Sequence, residues 1–276
     1  MRLKTGPVRM LFSTIFSLCL IAVLGLGVTS SQAAPILSGG IGGWVTNLTG
    51  TVAYKQGAIN LTSDLKLDKN KTFPRAWIAL ETPIPLLPNI RADVLVMDYS
   101  GSNTVTNLGF GNYVFTGPIS SKLKLNQYDL LVYYHIPLIQ MATANTMDIR
   151  WGIDARYFDG YINITGTDPT YGIVVTEKKN LSFVLPMAYL GASISTPGLP
   201  LQFNAAARAT TYEGSYFYDL EGSAKMTLVK IPPVGRIFVS GGYKWEQIKL
   251  KPGKPVDNFY TKTTVQGVFA EIGMSF

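Results

Sequence analysis

Met147-Asp148-Ile149-Arg150-Trp151-Gly152-Ile153-Asp154-Ala155-Arg156-Tyr157 is the stretch that decides the fold. Met147, Ile149, Trp151, Ile153, Ala155 and Tyr157 alternate with Asp148, Arg150, Gly152, Asp154 and Arg156. Period two is the mark of a strand, because successive side chains of a pleated ribbon point to opposite faces. The same rhythm runs through Ile90-Arg91-Ala92-Asp93-Val94-Leu95-Val96. It returns at the C-terminus, where Val268, Ala270, Ile272, Met274 and Phe276 alternate with Phe269, Glu271, Gly273 and Ser275.

Turn signals divide the chain at regular intervals. One set is short and mostly Pro-rich (83–89, 138–145, 196–200 and 232–235); the other is mostly longer and polar (49–72, 101–118, 165–179, 213–215 and 250–259). The two sets alternate, which predicts ten strands near 36–48, 73–82, 89–100, 119–136, 146–164, 180–195, 201–212, 216–230, 236–249 and 260–276. Several exceed the usual strand of about five or six residues. They suit a tilted membrane crossing of about 9–11 residues with an extension. An even strand count with short turns at one end and long loops at the other predicts a single antiparallel transmembrane β-barrel, with ten strands and eight as the alternative. Closure has a physical cause: in hydrocarbon every backbone N–H and C=O needs a partner, so a spanning sheet can have no edge.

The N-terminus carries an export signal. Arg2, Lys4 and Arg9 precede an apolar run over 11–28, and Ser31-Gln32-Ala33 supplies the small residues of a cleavage site. Cleavage after Ala33 leaves residues 34–276 as the barrel and lowers the net charge of +7 by three. It also removes Cys19, the one cysteine of the chain. One cysteine and one histidine exclude a disulfide framework and most metal sites, so neither a metal nor another cofactor is expected. The alternatives are an uncleaved anchor and, for the fold, a soluble periplasmic β-protein with its apolar face inward. Tyr128, Tyr133, Tyr134, Tyr157, Tyr243 and Trp245 near strand ends are read as interfacial girdles, which favours the membrane arrangement.

Parity then assigns the lumen. Arg75, Arg91, Arg150, Arg156, Arg208, Lys225, Arg236 and Lys244 point inward, with Glu81, Asp93, Asp129, Asp148, Asp154, Asp219, Glu221, Glu246 and Glu271. A one-residue slip would turn the basic residues to lipid at about 2–4 kcal/mol each near the midplane, so register is firmly set. The candidate constriction comprises Arg75, Glu81, Arg91, Asp93, Asp129, Asp148, Arg150, Asp154, Arg156, Arg208 and Glu271. Asp148, Arg150, Asp154 and Arg156 are expected to pair across strands with Asp93, Arg91 and Glu81, plugging the lumen; lining a solute path is the alternative. Basic residues outside the lumen, such as Lys55, Lys66, Lys69, Lys71, Lys178, Lys179, Lys251 and Lys254, collect on the long-loop side, and only Lys230 sits beside a short turn. A basic rim of this kind fits lipopolysaccharide phosphates, or serves merely as solubilising charge.

Gly39-Gly40-Ile41-Gly42-Gly43-Trp44 resembles a family of proteobacterial outer-membrane barrel proteins named for a Gly-Gly motif near the mature N-terminus. Further matches are Trp77-Ile78-Ala79-Leu80-Glu81 leading into Pro83, then Pro85-Leu86-Leu87-Pro88-Asn89. Tyr128-Asp129, Tyr133-Tyr134, Tyr157-Phe158-Asp159-Gly160, Gly242-Tyr243 and Phe276 complete the likeness. Glu81-Thr82-Pro83 stands where the family is expected to have Glu-His-Pro. The resemblance implies an eight- to ten-stranded outer-membrane barrel and no established activity. The terminal strand ending on Phe276 resembles the signal read by the barrel-assembly machinery. The expected partners are therefore outer-membrane lipids, lipopolysaccharide and that machinery; no nucleic-acid partner is expected, and the oligomeric state stays open.

Candidate catalysis is thin. His135 shares the inward parity of Asp129, with which it is expected to pair, and no Ser, His and acid set surrounds it. No catalytic residue is assigned. Loop one, residues 49–72, is expected to hold a short helix capped by Thr62 or Ser63, exposing Leu65 and Leu67 as a lid or a rim contact. The reading is a non-enzymatic outer-membrane barrel, structural or passing small solutes through a narrow lumen. Its alternatives are a carrier of small hydrophobic ligands, with an apolar pocket near Phe110, Tyr113 and Phe115, and a lipid-modifying enzyme built on His135.

Overall fold

The computed structural model describes residues 36–84, 87–232, 235–251, 253 and 258–276. The leader over 1–33, Cys19, Pro85, Leu86 and Lys254 lie outside the described residues. Within them the order is β1 (Ile36–Tyr54), β2 (Ile59–Asn60), β3 (Lys71–Glu81), β4 (Asn89–Leu95), β5 (Asp98–Phe110), β6 (Tyr113–His135), α1 (Pro137–Ala142) and β7 (Met147–Asp168). β8 (Ile173–Ser195), β9 (Leu201–Tyr212), β10 (Ser215–Ile231), β11 (Gly235–Leu250) and β12 (Phe259–Ser275) follow.

All pairings are antiparallel. β1 pairs with β12 from Ser38 opposite Ser275 to Tyr54 opposite Phe259, and this closes the sheet on itself. β4 and β5 share one position in the ring, both on β6, while β2 is a two-residue appendage of β1. The ring therefore has ten positions, as the turn spacing predicts. Gly42 sits in the closing seam: a Cβ there would lie 2.1 Å from the Ala270 carbonyl oxygen, so no larger residue fits unshifted.

Side-chain polarity is inverted relative to a water-soluble sandwich. Ile153 is 65 % exposed and Val268 57 %, on the outside, whereas Asp154 and Arg156 are 0 and 1 % exposed within. A closed ladder with an apolar exterior and an ionised interior has the polarity of a transmembrane β-barrel. Tyr134 and Trp151 stack at 5.6 Å between ring centres near the short-turn end, as a girdle pair would. Tyr133 does not belong to the girdle: it is buried, and its hydroxyl donates to Glu81 at 2.9 Å. It shares the inward parity of Asp129.

β6 and β8 run 23 residues each. At about 3.3 Å per residue and a tilt near 40°, such a strand rises roughly 55–60 Å, about twice an apolar band of 25–30 Å. The overhang corrects two predicted loops. Within 101–118, β5 and β6 continue to a turn at Gly111-Asn112; within 165–179, β7 and β8 continue to one at 169–172. On the overhang the outer face leaves the lipid while the inner face still packs Phe110 and Phe115, so the apolar alternation fades in sequence, yet the ladder propagates through the Thr-, Ser- and Val-rich chain.

Loop one is corrected as well, because it forms no helix. The Asn60 side-chain oxygen accepts the amides of Thr62 and Ser63, which closes a tight turn in place of a helical one. Leu61, Leu65 and Leu67 are buried, not exposed. The loop is stitched to the wall where β3 leaves β5 unpaired: Ser121 donates to the Leu65 carbonyl, Asn103 to the Asp64 carbonyl, and Ser100 to the Asp68 carboxylate. It lids the mouth.

Candidate functional site

The lumen has three levels from the long-hairpin end to the short-turn end. The first is an apolar core inside the barrel. Phe110, Phe115, Ile162, Ile164 and Leu48 from the wall meet Leu61 and Leu65 from loop one, all fully buried. A cavity of about 50 Å³ remains beside Met97, Leu123, Phe158 and Phe217. The apolar pocket foreseen near Phe110, Tyr113 and Phe115 is thus packed solid at Phe110 and Phe115, with Tyr113 against them.

Beneath it lies a buried charge network centred on Arg156. Its Nε and Nη2 donate to Asp129 at 2.7 and 2.6 Å, the two-pronged fit of a guanidinium to a carboxylate. Nη2 also reaches Asp219 at 2.7 Å and Nη1 reaches Glu246 at 3.0 Å. Lys244 bonds Asp219 at 2.7 Å and lies 3.1 Å from Glu246, to which Gln127 donates at 2.8 Å. Arg208 joins Asp154 to Asp219. Arg75 on β3 crosses to Glu221 on β10 at 3.1 Å and holds Glu271 on β12 at 2.7 Å. Strands on opposite sides of the lumen are tied together by these pairs of opposite charge.

The third level is a vestibule of about 670 Å³ at the short-turn end, lined among others by Glu81, Arg91, Asp148, Arg150, Arg208 and Glu271. All eleven residues of the predicted constriction therefore face the interior, but their partners differ from expectation. Arg91 bonds Asp93 on its own strand at 2.6 Å, and Asp148 bonds His135 at 2.6 Å and Gln140 at 2.8 Å, with the Arg150 guanidinium 3.3 Å away as an ion pair. Among the described residues Asp148, Arg150, Asp154 and Arg156 make no ion pair with Asp93, Arg91 or Glu81, since β6 stands between β7 and β4. His135 meets Asp148, not Asp129. The register sets His135 opposite Arg150, and Asp129 lies six residues along the same strand, about 20 Å away.

Asp219, Lys244 and Glu246 hold the centre of the network, although the predicted constriction omits them. Their inward parity is legible; their mutual contact needs the register of β10 on β11, which sets Asp219 opposite Glu246. At the C-terminus the Phe276 amide donates to the Leu37 carbonyl at 2.8 Å, and the ring is half exposed on the outside.

No protein-family model matches the chain, and no curated protein does. Among solved structures, it is similar to the outer membrane protease OmpT from Escherichia coli at 11 % identity and a TM-score of 0.45, over 90 % of this chain and 98 % of that one. The Ail attachment invasion locus protein of Yersinia pestis is 10 % identical, TM-score 0.34, over 88 and 99 % of the two chains. The toluene transporter TodX of P. putida is 8 % identical, TM-score 0.28, over 89 and 90 %. These likenesses assign no activity, and the barrel rests on this chain's own closed strand ladder.

Proposed function

We propose that the chain is an exported, non-enzymatic barrel of the outer membrane that is shut to steady ion flow, with its short turns toward the periplasm. One observation carries this reading: two barriers of opposite chemistry lie in series in the lumen, the Arg156 network and the apolar core under loop one. An ion crossing the first would still face the hydrocarbon-like second, where an unpaired charge is costly. The protein then acts through its surfaces and its vestibule. The basic residues of the outer rim, Lys66 and Lys69 among them, suit lipopolysaccharide phosphates. The strand ending on Phe276 suits recognition by the assembly machinery.

Planar-bilayer conductance of the refolded barrel tests this. The unmodified protein and Arg150→Ala are expected to be silent, whereas Arg156→Ala combined with deletion of 58–68 conducts. Steady conductance of the unmodified barrel, altered by Arg150→Ala, would support a narrow solute pore instead.

A hydrophobic-ligand carrier is the second reading, favoured by the apolar outer half-lumen and the unpaired stretch between β3 and β5. Its cavity of about 50 Å³ is under two water volumes of about 30 Å³ each, and its floor is charged. A guest would have to displace loop one and leave sideways.

A further inference from the structure

The vestibule has more cations than its carboxylates consume. Its wall holds Arg150, Lys225, Lys230 and Arg236, together with Arg91 and Arg208, which Asp93 and Asp154 already hold, against Glu81, Asp148, Glu221 and Glu271. Glu221 and Glu271 are held by the Arg75 guanidinium and Asp148 by His135, Gln140 and Arg150, while Glu81 accepts from the Tyr133 hydroxyl and attracts Lys225 only from beyond ion-pair distance, so two acids stand against the four cations Arg150, Lys225, Lys230 and Arg236. Among the described residues no carboxylate lies within ion-pair distance of Lys225, Lys230 or Arg236.

The wall holds these charges in place. Trp77 and Phe238 stack at 6.2 Å, with the Arg91 guanidinium 4.2 Å from the Trp77 ring and the Lys225 ammonium 4.1 Å from the Phe238 ring. Two cations thus flank a stacked aromatic pair, each favoured by a ring face. Lys230 arrives by a different device. By simple alternation from Lys225 it would face lipid, but the register of β10 on β11 shifts between Thr227 and Val229. This bulge turns Leu228 and Val229 both outward and brings Lys230 to the lumen, opposite Arg236. Two like charges side by side at a cavity mouth repel each other unless an anion sits between them.

We propose that the vestibule is a binding site for a small multivalent anion, a phosphate ester or a polycarboxylate, held by Lys225, Arg236, Lys230 and Arg150. Its volume of about 670 Å³ falls within the range of small-molecule sites. Lys225 and Arg150 grip the anion inside the cup, while Lys230 and Arg236 guard the rim. The site rests on the reading of the lumen as a closed cup, because an open channel would pass such an anion rather than retain it.

The test is isothermal titration of the folded barrel in zwitterionic detergent with pyrophosphate and with citrate, at fixed low salt. Saturable one-to-one binding of at least one anion is expected, and the stronger of the two identifies the phosphate or carboxylate class. Lys225→Gln/Arg236→Gln should weaken it at least tenfold, since each hydrogen bond to a charged group is worth about a tenfold factor or more. Lys249→Gln/Lys262→Gln, which removes two cations at the opposite end, should leave it within twofold. Absence of saturable binding to the unmodified barrel overturns the proposal, whatever the variants do, and so does equal weakening by both double variants. Conductance is read separately. A conducting barrel that still binds pyrophosphate overturns the sealed reading alone, and a silent barrel that binds neither anion overturns the anion site alone.

Discussion

Replacing Arg156 by methionine keeps most of the side chain's bulk and removes four hydrogen bonds: two to Asp129 and one each to Asp219 and Glu246. The three carboxylates do not suffer equally. Asp219 keeps Lys244 at 2.7 Å, and Glu246 keeps Lys244 at 3.1 Å and Gln127 at 2.8 Å. Asp129 loses both of its side-chain donors and is left as a buried, uncompensated charge. Stranding one member of a buried pair costs about 3–5 kcal/mol. Arg156→Met is therefore expected to lower the unfolding free energy by that amount, read from urea titrations of the barrel in lipid vesicles. Asp129→Asn alone should cost about 1 kcal/mol, because Arg156 retains two acids and Asn still accepts a hydrogen bond. In the double variant the stranded charge is gone, and at least about 2 kcal/mol should return relative to Arg156→Met. A loss under about 1 kcal/mol in Arg156→Met, or strict additivity in the double variant, would refute the network as the brace of the lumen.

Other outcomes follow from the same geometry. Leu65→Ala removes a fully buried side chain of loop one and should cost about 2–5 kcal/mol locally, seen as faster proteolysis within 55–70 while the barrel stays intact. Ile153→Arg puts a charge on the lipid face and should cost about 2–4 kcal/mol in urea titration. Gly42→Val should impair closure, leaving the unfolded mobility on unheated gels, because its Cβ meets the Ala270 carbonyl. Partial burial pushes the Asp68 carboxyl up, but hydrogen bonds from Ser100 and the nearby Lys71 outweigh it and hold the group below the ordinary carboxylate value. A lowered folded-state value stabilises above the unfolded value of about 3.9 and loses that contribution as pH falls through the folded one. A spin label at Lys69→Cys should thus keep one mobility down to about pH 5 and loosen below about pH 4.

Much of the barrel was legible because its information is local. The alternation around Trp151 and around Val94 names the inward and outward faces, and the four Pro-bearing or helix-capped turns space the strands. Register information is not local. Arg156 finds Asp219, 63 residues away, only once β7 through β11 are laid side by side and the lumen is closed. The same absence misassigned His135, whose acid came from the next strand. Loop one failed for another reason: its Asn60 turn competes with a helical cap, and its leucines are exposed only if the mouth above β5 is taken as empty. Lys230 shows the limit of parity itself, because one bulge reverses it.

Doxyl-lipid quenching along β10 and β11 tests the central claim, an apolar exterior around a sealed and charged interior. Fluorophores on single cysteines at Leu220, Ala224 and Val239 should be quenched strongly by mid-chain doxyl lipid, and those at Ser223 and Ser240 only weakly. Quenching that fails to alternate, or that is strongest at Ser223 and Ser240, would contradict the account.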